Sequence, residues 1–180
     1  MTRSLRDRIQ SVPHEVNRLA IAVGEPLDAF RARYERAVPV YDAERFAGLV
    51  AAGATWDTLL EATRENAPHG FIIYWSHDFS PLMRLAGHRL RGIEYLMGNH
   101  AVAETMYRHD PAIMLYAPLR TVIYEDAGGE TWFAIDQPRT RFGSFGDPGI
   151  ARGGVELDRR LAALLAHLGL PAPDVLTART

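Results

Sequence analysis

Two runs of alternating apolar residues, Leu119 to Glu125 and Thr131 to Asp136, flank the turn sequence Asp126-Ala127-Gly128-Gly129. Period-two alternation turns one face of each run toward a core, and the turn folds the second run back on the first. An isolated hairpin is marginal in water, so further strands must join it. Three segments can do so. Val16 to Val23 alternates through Leu19, Ile21 and Val23. Phe71 to Phe79 carries Phe71, Ile73, Trp75, His77 and Phe79 on one face, and Ile72, Tyr74, Ser76 and Asp78 on the other. Ile93 to Met97 is the third.

Helical signals lie between these strands. Pro26 stands at a first helical position before Leu27, Phe30 and Tyr34, which share one face. Asp42 caps a second helix with Phe46, Leu49 and Val50 on one side and Gly53 as its stop. Thr55 caps a third, with Trp56, Leu59 and Leu60. Ser80-Pro81 opens a short turn through Leu85, and Asn99 caps a helix from His100 to about Arg108. Ile113 to Tyr116 reads as extended. Residues 138–154, rich in Gly, Arg and Phe, read as a loop. The last helix runs near Glu156 to Leu168, with Leu157, Leu161, Leu164, Leu165 and Leu168 as its stripe and Gly169 as its stop.

This order predicts an α+β fold: a single antiparallel-rich sheet with helices packed on one face. Residues 1–15 form a polar lead-in, residues 16–170 a single domain, and residues 171–180 a C-terminal tail that frays from residue 172. A length of 180 residues suits one domain with a real core.

Composition narrows the chemistry. There are no cysteines, so disulfides, thiolate metal sites and cysteine nucleophiles are excluded. All 20 basic residues are arginine, which removes Schiff-base lysine chemistry and the P-loop lysine. The net charge is −2 and the arginines are scattered, so no nucleic-acid partner is expected. Neither a signal peptide nor a membrane span is legible, and a cytoplasmic, membrane-free location is expected.

The polar residues offer several constellations. Gly98-Asn99-His100 opens a helix, whose N–H groups suit an anionic oxygen, with His100 beside it as a base. The simpler reading is that Asn99 caps the helix and His100 faces solvent. His77 shares a strand face with aromatic residues, as the wall of an apolar pocket or as a core histidine. Asp78 points the other way and can cap the turn at Ser80. His100 and Glu104, four apart, share a helix face, but no tight metal spacing such as HExxH occurs, and no metal is expected. Tyr74, Tyr95, Tyr107, Tyr116 and Tyr124 crowd the sheet and its neighbouring helix, as pocket lining or as ordinary packing. Arg139, Arg141, Phe142, Gly143, Phe145, Gly146 and Gly149 form a loop that closes over a pocket or lies on the surface. Neither a G-x-S-x-G elbow nor a G-x-G-x-x-G fingerprint is present.

From His69 onward the chain resembles the family known as domain of unknown function 302. The resemblance rests on Gly70-Phe71-Ile72-Ile73 leading to His77-Asp78, then Gly98-Asn99-His100. It continues through Ala117-Pro118-Leu119-Arg120, Val122-Ile123-Tyr124-Glu125-Asp126, Gly129 and Trp132. It covers mainly residues 69–136. It implies a β-α-β(4)-α arrangement related in shape to the TATA-binding-protein fold, in which residues 38–67 are an inserted helical segment. The family has no agreed activity. It often has Pro after Gly-Asn, where this chain has His100.

Two functions are expected from these features. The first is a small-molecule-binding protein or cofactor-independent enzyme of the proton-transfer, cyclisation or isomerisation type. Its pocket lies between sheet and helices, with His77, Asp78 and His100 as catalytic groups. Tyr74, Asn99, Glu104, Tyr116, Trp132 and Arg141 would bind a small organic, anionic substrate, with no cofactor. The second is a non-catalytic homodimeric module that binds a ligand or another protein through a strand edge or the helices of residues 42–66.

Overall fold

The computed structural model describes residues 9–178. Five strands form one antiparallel sheet: β1 (Arg18–Ala22), β2 (Ile72–Asp78), β3 (Gly92–Gly98), β4 (Leu119–Glu125) and β5 (Thr131–Asp136). Their spatial order is β1-β5-β4-β3-β2. The hairpin anticipated from its turn is present, with Thr121 opposite Ile135 and Glu125 opposite Thr131. Asp126 holds the turn by accepting from the backbone N–H groups of Gly128 and Glu130. The fold is α+β, as the element order predicted.

Helix α1 (Leu27–Ala37) runs between the two edge strands β1 and β2. Its buried residues Leu27, Phe30, Tyr34 and Ala37 lie on one stripe and join the core formed with Ile93, Tyr95, Ile123 and Phe133 of the sheet. Helices α2 (Ala43–Ala51) and α3 (Trp56–Asn66) follow α1. Asp42 caps α2 by accepting from the Arg45 N–H at 3.0 Å, and Thr55 caps α3 by accepting from the Thr58 N–H at 3.3 Å. After β2 comes the short α4 (Ser80–Leu85). Helix α5 (His100–Tyr107) follows β3, α6 (Pro138–Phe142) follows β5, and α7 (Pro148–His167) ends the domain.

The sheet alternates cleanly in burial along β1 and β5. Ile21, Ile93, Ile123 and Phe133 point into the helical layer, whereas Ala20, Glu94, Val122 and Ala134 lie on the other face.

Three expectations are corrected. Residues 138–154 are not a loop: α6 occupies 138–142, and α7 begins at Pro148, with Asp147 accepting from the Gly149 and Ile150 N–H groups. Glycine is a poor helix former, so three glycines in the first two turns hid the helix. Their reason is close packing. A Cβ on Gly149 would sit 2.3 Å from His109 Nε2, and one on Gly153 would sit 2.3 Å from Met106 Cγ. Next, residues 113–116 are not extended. Pro111–Leu115 is a 3-10 turn, begun by Asp110 accepting from the Ala112 N–H at 2.8 Å. Finally, the tail does not fray through residue 178: Asp174–Leu176 forms a 3-10 turn with Leu176 fully buried. Positions 1–8 of the polar lead-in and positions 179–180 of the tail lie outside the described residues.

Candidate functional site

Strand β2 carries a bulge. Ile73 pairs with Met97 and Trp75 pairs with Leu96, which leaves Tyr74 as the extra residue. A bulge reverses the alternation beyond it. Trp75 and His77 therefore lie on the face away from the helices, and His77 is exposed, stacked on Trp75 at 5.7 Å. The expected apolar wall of Phe71, Ile73, Trp75, His77 and Phe79 does not exist, because the register slips by one residue at its middle.

The bulge directs Tyr74 at the start of α5. Tyr74 Oη lies 2.8 Å from His100 Nδ1, and Thr63 Oγ1 of α3 lies 2.5 Å from His100 Nε2. The Thr63 hydroxyl donates its proton to the Leu59 carbonyl at 2.7 Å. Its oxygen therefore accepts from His100, which places the imidazole proton on Nε2. Nδ1 is then an acceptor, and the Tyr74 hydroxyl donates to it. Phe46 meets the His100 ring edge-on at 4.9 Å, and Tyr41 tilts against Tyr74 at 5.1 Å. Tyr41 is held there because its N–H donates to the Ile73 carbonyl beside the bulge. Burial lowers the His100 pKa and pushes Tyr74 up to about 12.

The folded-state pKa of His100 thus lies below its ordinary value of 6.5, and the unfolded chain binds more protons below that value. Its contribution to stability is present above about pH 6.5 and is lost as pH falls through the folded-state pKa. Melting temperature should decline on acidification below that point, and less steeply in His100→Asn. Equal slopes would mean that His100 is freely protonated in the fold.

Beside this chain of hydrogen bonds lies a cavity of about 270 Å³. Tyr74, Gly98, Asn99 and His100 form one wall, and Ala103 and Met106 of α5 a second. Met114, Ala117, Pro118 and Leu119 close the third side, over Phe142 and Leu157. The surface is almost wholly carbon. Asn99 contributes no free polar group. Its Oδ1 accepts from the Ala101 and Val102 N–H groups, and its Nδ2 donates to the Gly70 carbonyl at 3.0 Å. The Ala101 and Val102 N–H groups, anticipated for an anion, are thus satisfied by the cap.

The remaining expected residues are dispersed. Asp78 accepts from the Ser80 N–H at 2.9 Å and lies 4.0 Å from Arg31. Glu104 pairs with Arg108 on the surface of α5. Trp132 donates from Nε1 to Asp126 at the hairpin turn. Tyr116 and Arg141 meet in a neighbouring groove, where the guanidinium lies 5.1 Å over the ring and pairs with Asp136. Arg141 is tied to β5 and belongs to α6, so it is not part of a closing loop. Among the described residues, no group of three or more His, Asp or Glu side chains converges as a metal site. No helix among them is long and apolar enough to cross a membrane.

Tyr74, Asn99 and His100 are thus brought together, and Thr63, Phe46 and Tyr41 join them from the segment before β2. The sequence matches the family described as "Domain of unknown function DUF302" over residues 50–168, well over half of the chain. The chain belongs to the DUF302 family. The match includes α3, the bulged strand and every wall of the cavity, but not Tyr41 or Phe46. A solved structure, an uncharacterised conserved DUF302 protein from Bacillus stearothermophilus, is similar in fold. The TM-score is 0.61 at 15% identity, over 84% of this chain and 97% of that one. No curated protein matches the chain.

Proposed function

We propose that this DUF302 protein binds a compact, largely apolar small molecule in the cavity between α5, α7 and the ends of β2, β3 and β4. The carbon lining carries this reading. The space is half-open, so an apolar guest entering it covers carbon surface that water otherwise wets and gains burial. A cavity of ~150 Å³ holds benzene, so 270 Å³ suits a guest of about two fused rings. Binding is favoured over catalysis because the polar groups of the wall already have partners. His100 serves to fix Tyr74 and α5 around the cavity. Its Nδ1 lone pair is occupied by the Tyr74 hydroxyl, so it is not poised as a free base.

Calorimetric titration with indole and with naphthalene tests the proposal. Saturable binding is expected, and Ala103→Phe, which fills the cavity, should abolish it. Ligand at a hundred times its dissociation constant should stabilise the fold by about 2.7 kcal/mol, or roughly 5–10 °C in melting temperature. Absence of heat and of thermal shift with both probes would sink the proposal, as would undiminished binding to Ala103→Phe.

A further inference from the structure

We propose that the sheet face turned away from the helices is where two copies of this chain pair face to face. A solvated antiparallel sheet presents polar residues outward. Here the outward positions include Trp75, Leu96, Val122, Tyr124, Trp132 and Ala134. The bulge at Tyr74 is what puts Trp75 on this face, 46% exposed and beside Leu96. Two of the three tryptophans of the chain therefore lie there. Tryptophan, tyrosine and arginine are the residues that dominate binding energy at protein interfaces.

Charge selects the occupant. The same face carries Arg18 and Arg120 together with Glu94 and Asp136. Arg120 pairs with Glu94 at 2.7 Å yet keeps most of its side chain exposed. With Arg141 bonded to Asp136 and Asp126 bonded to Trp132, three positive and three negative groups sum to zero, which offers no field for nucleic acid or another strongly charged partner. A neutral face with both signs can meet its own copy across a twofold axis, each arginine facing a carboxylate. Area agrees. Five strands about 4.8 Å apart and roughly 20 Å long make a face of roughly 500 Å², or about 1,000 Å² for a pair, the lower bound of a specific interface. A single helix or peptide would cover only part of that width, whereas a second sheet covers all of it.

Sedimentation velocity from nanomolar to high-micromolar protein tests this. The wild type should be a dimer. Val122→Glu and Ala134→Arg should each weaken self-association roughly 100-fold, a charge being left unpaired at the centre of the contact. Circular dichroism should show both variants folded. Should Val122→Glu not fold, Ala134→Arg alone decides, since its side chain is partly exposed on the same face. Leu82→Glu, on the exposed surface of α4, should leave the dimer intact. A monomeric wild type at every concentration overturns the proposal. So does a dimer that survives both face variants, or one that Leu82→Glu dissolves.

Discussion

Asp158→Ala is expected to lower the stability of the fold by roughly 3–5 kcal/mol. Asp158 is a fully buried carboxylate on α7. It accepts from Gln137 Nε2 at 2.7 Å, from the Arg139 backbone N–H at 3.0 Å, and from Arg139 Nε. Burial pushes its pKa up, against the pull of Gln137 and Arg139. The partners extend the junction. Gln137 Nε2 also donates to the Val175 carbonyl, and Arg139 Nη1 donates to the Ala178 carbonyl. On the other side, Asn17 Nδ2 donates to Gln137 Oε1 at 3.0 Å, just before β1. One carboxylate thus ties α7 to the end of β5, to α6, to the tail and to the approach of β1. Alanine leaves the Arg139 guanidinium, only 17% exposed, without its counter-ion. Urea denaturation should report the loss, with a melting temperature lower by roughly 6–20 °C. Arg139→Met added to Asp158→Ala should recover part of it, because much of the cost is the stranded cation. A loss below about 1 kcal/mol would show that the junction is solvated rather than buried.

What the sequence made legible followed local chemistry. Asp42, Thr55 and Asn99 were readable as caps because a capping side chain bonds to N–H groups two or three residues ahead. The β4–β5 hairpin was readable because its turn and its alternation agree. The β2 bulge was not, since a one-residue slip depends on the partner strand and leaves the composition of β2 unchanged. That slip decided where Trp75 and His77 point. The glycine-rich start of α7 was hidden for a related reason: its helicity comes from α5 and α6 packing close, not from its own propensity.

The candidate site was legible in part. Tyr74, Asn99 and His100 were named on residue type and turn geometry, and the fold brings them together. Thr63, Tyr41 and Phe46 were missed because they come from the segment that resembled a mere insertion. Only the contact of α2 and α3 with α5 makes them walls of the His100 environment. One signal was available: His100 stands where the resemblance implies Pro, and a buried imidazole needs partners for both nitrogens. The apolar walls carried no signal, since Ala103, Met106, Phe142 and Leu157 look like any core residue until the space between them is seen.

The two adjacent glycines of α7 should respond differently to valine, and the difference tests the cavity. A Cβ on Gly154 would lie 3.0 Å from Arg139 Cα and 3.0 Å from Phe142 Cβ. Arg139 is held in place, because the contact is with its backbone and its N–H is bonded to Asp158. Gly154→Val should therefore cost roughly 2–3 kcal/mol of overpacking, read by urea denaturation. A Cβ on Gly153 would lie 2.3 Å from Met106 Cγ and 2.4 Å from its sulfur. Met106 is an adaptable side chain that also lines the cavity, so it can yield in that direction. Gly153→Val should cost less than Gly154→Val, partly offset by the better helix propensity of valine, but it should weaken indole binding by at least roughly tenfold. Indole affinity equal to that of the wild type in Gly153→Val would mean that Met106 is displaced elsewhere. In that case the helix contact between α5 and α7 would not govern the size of the cavity.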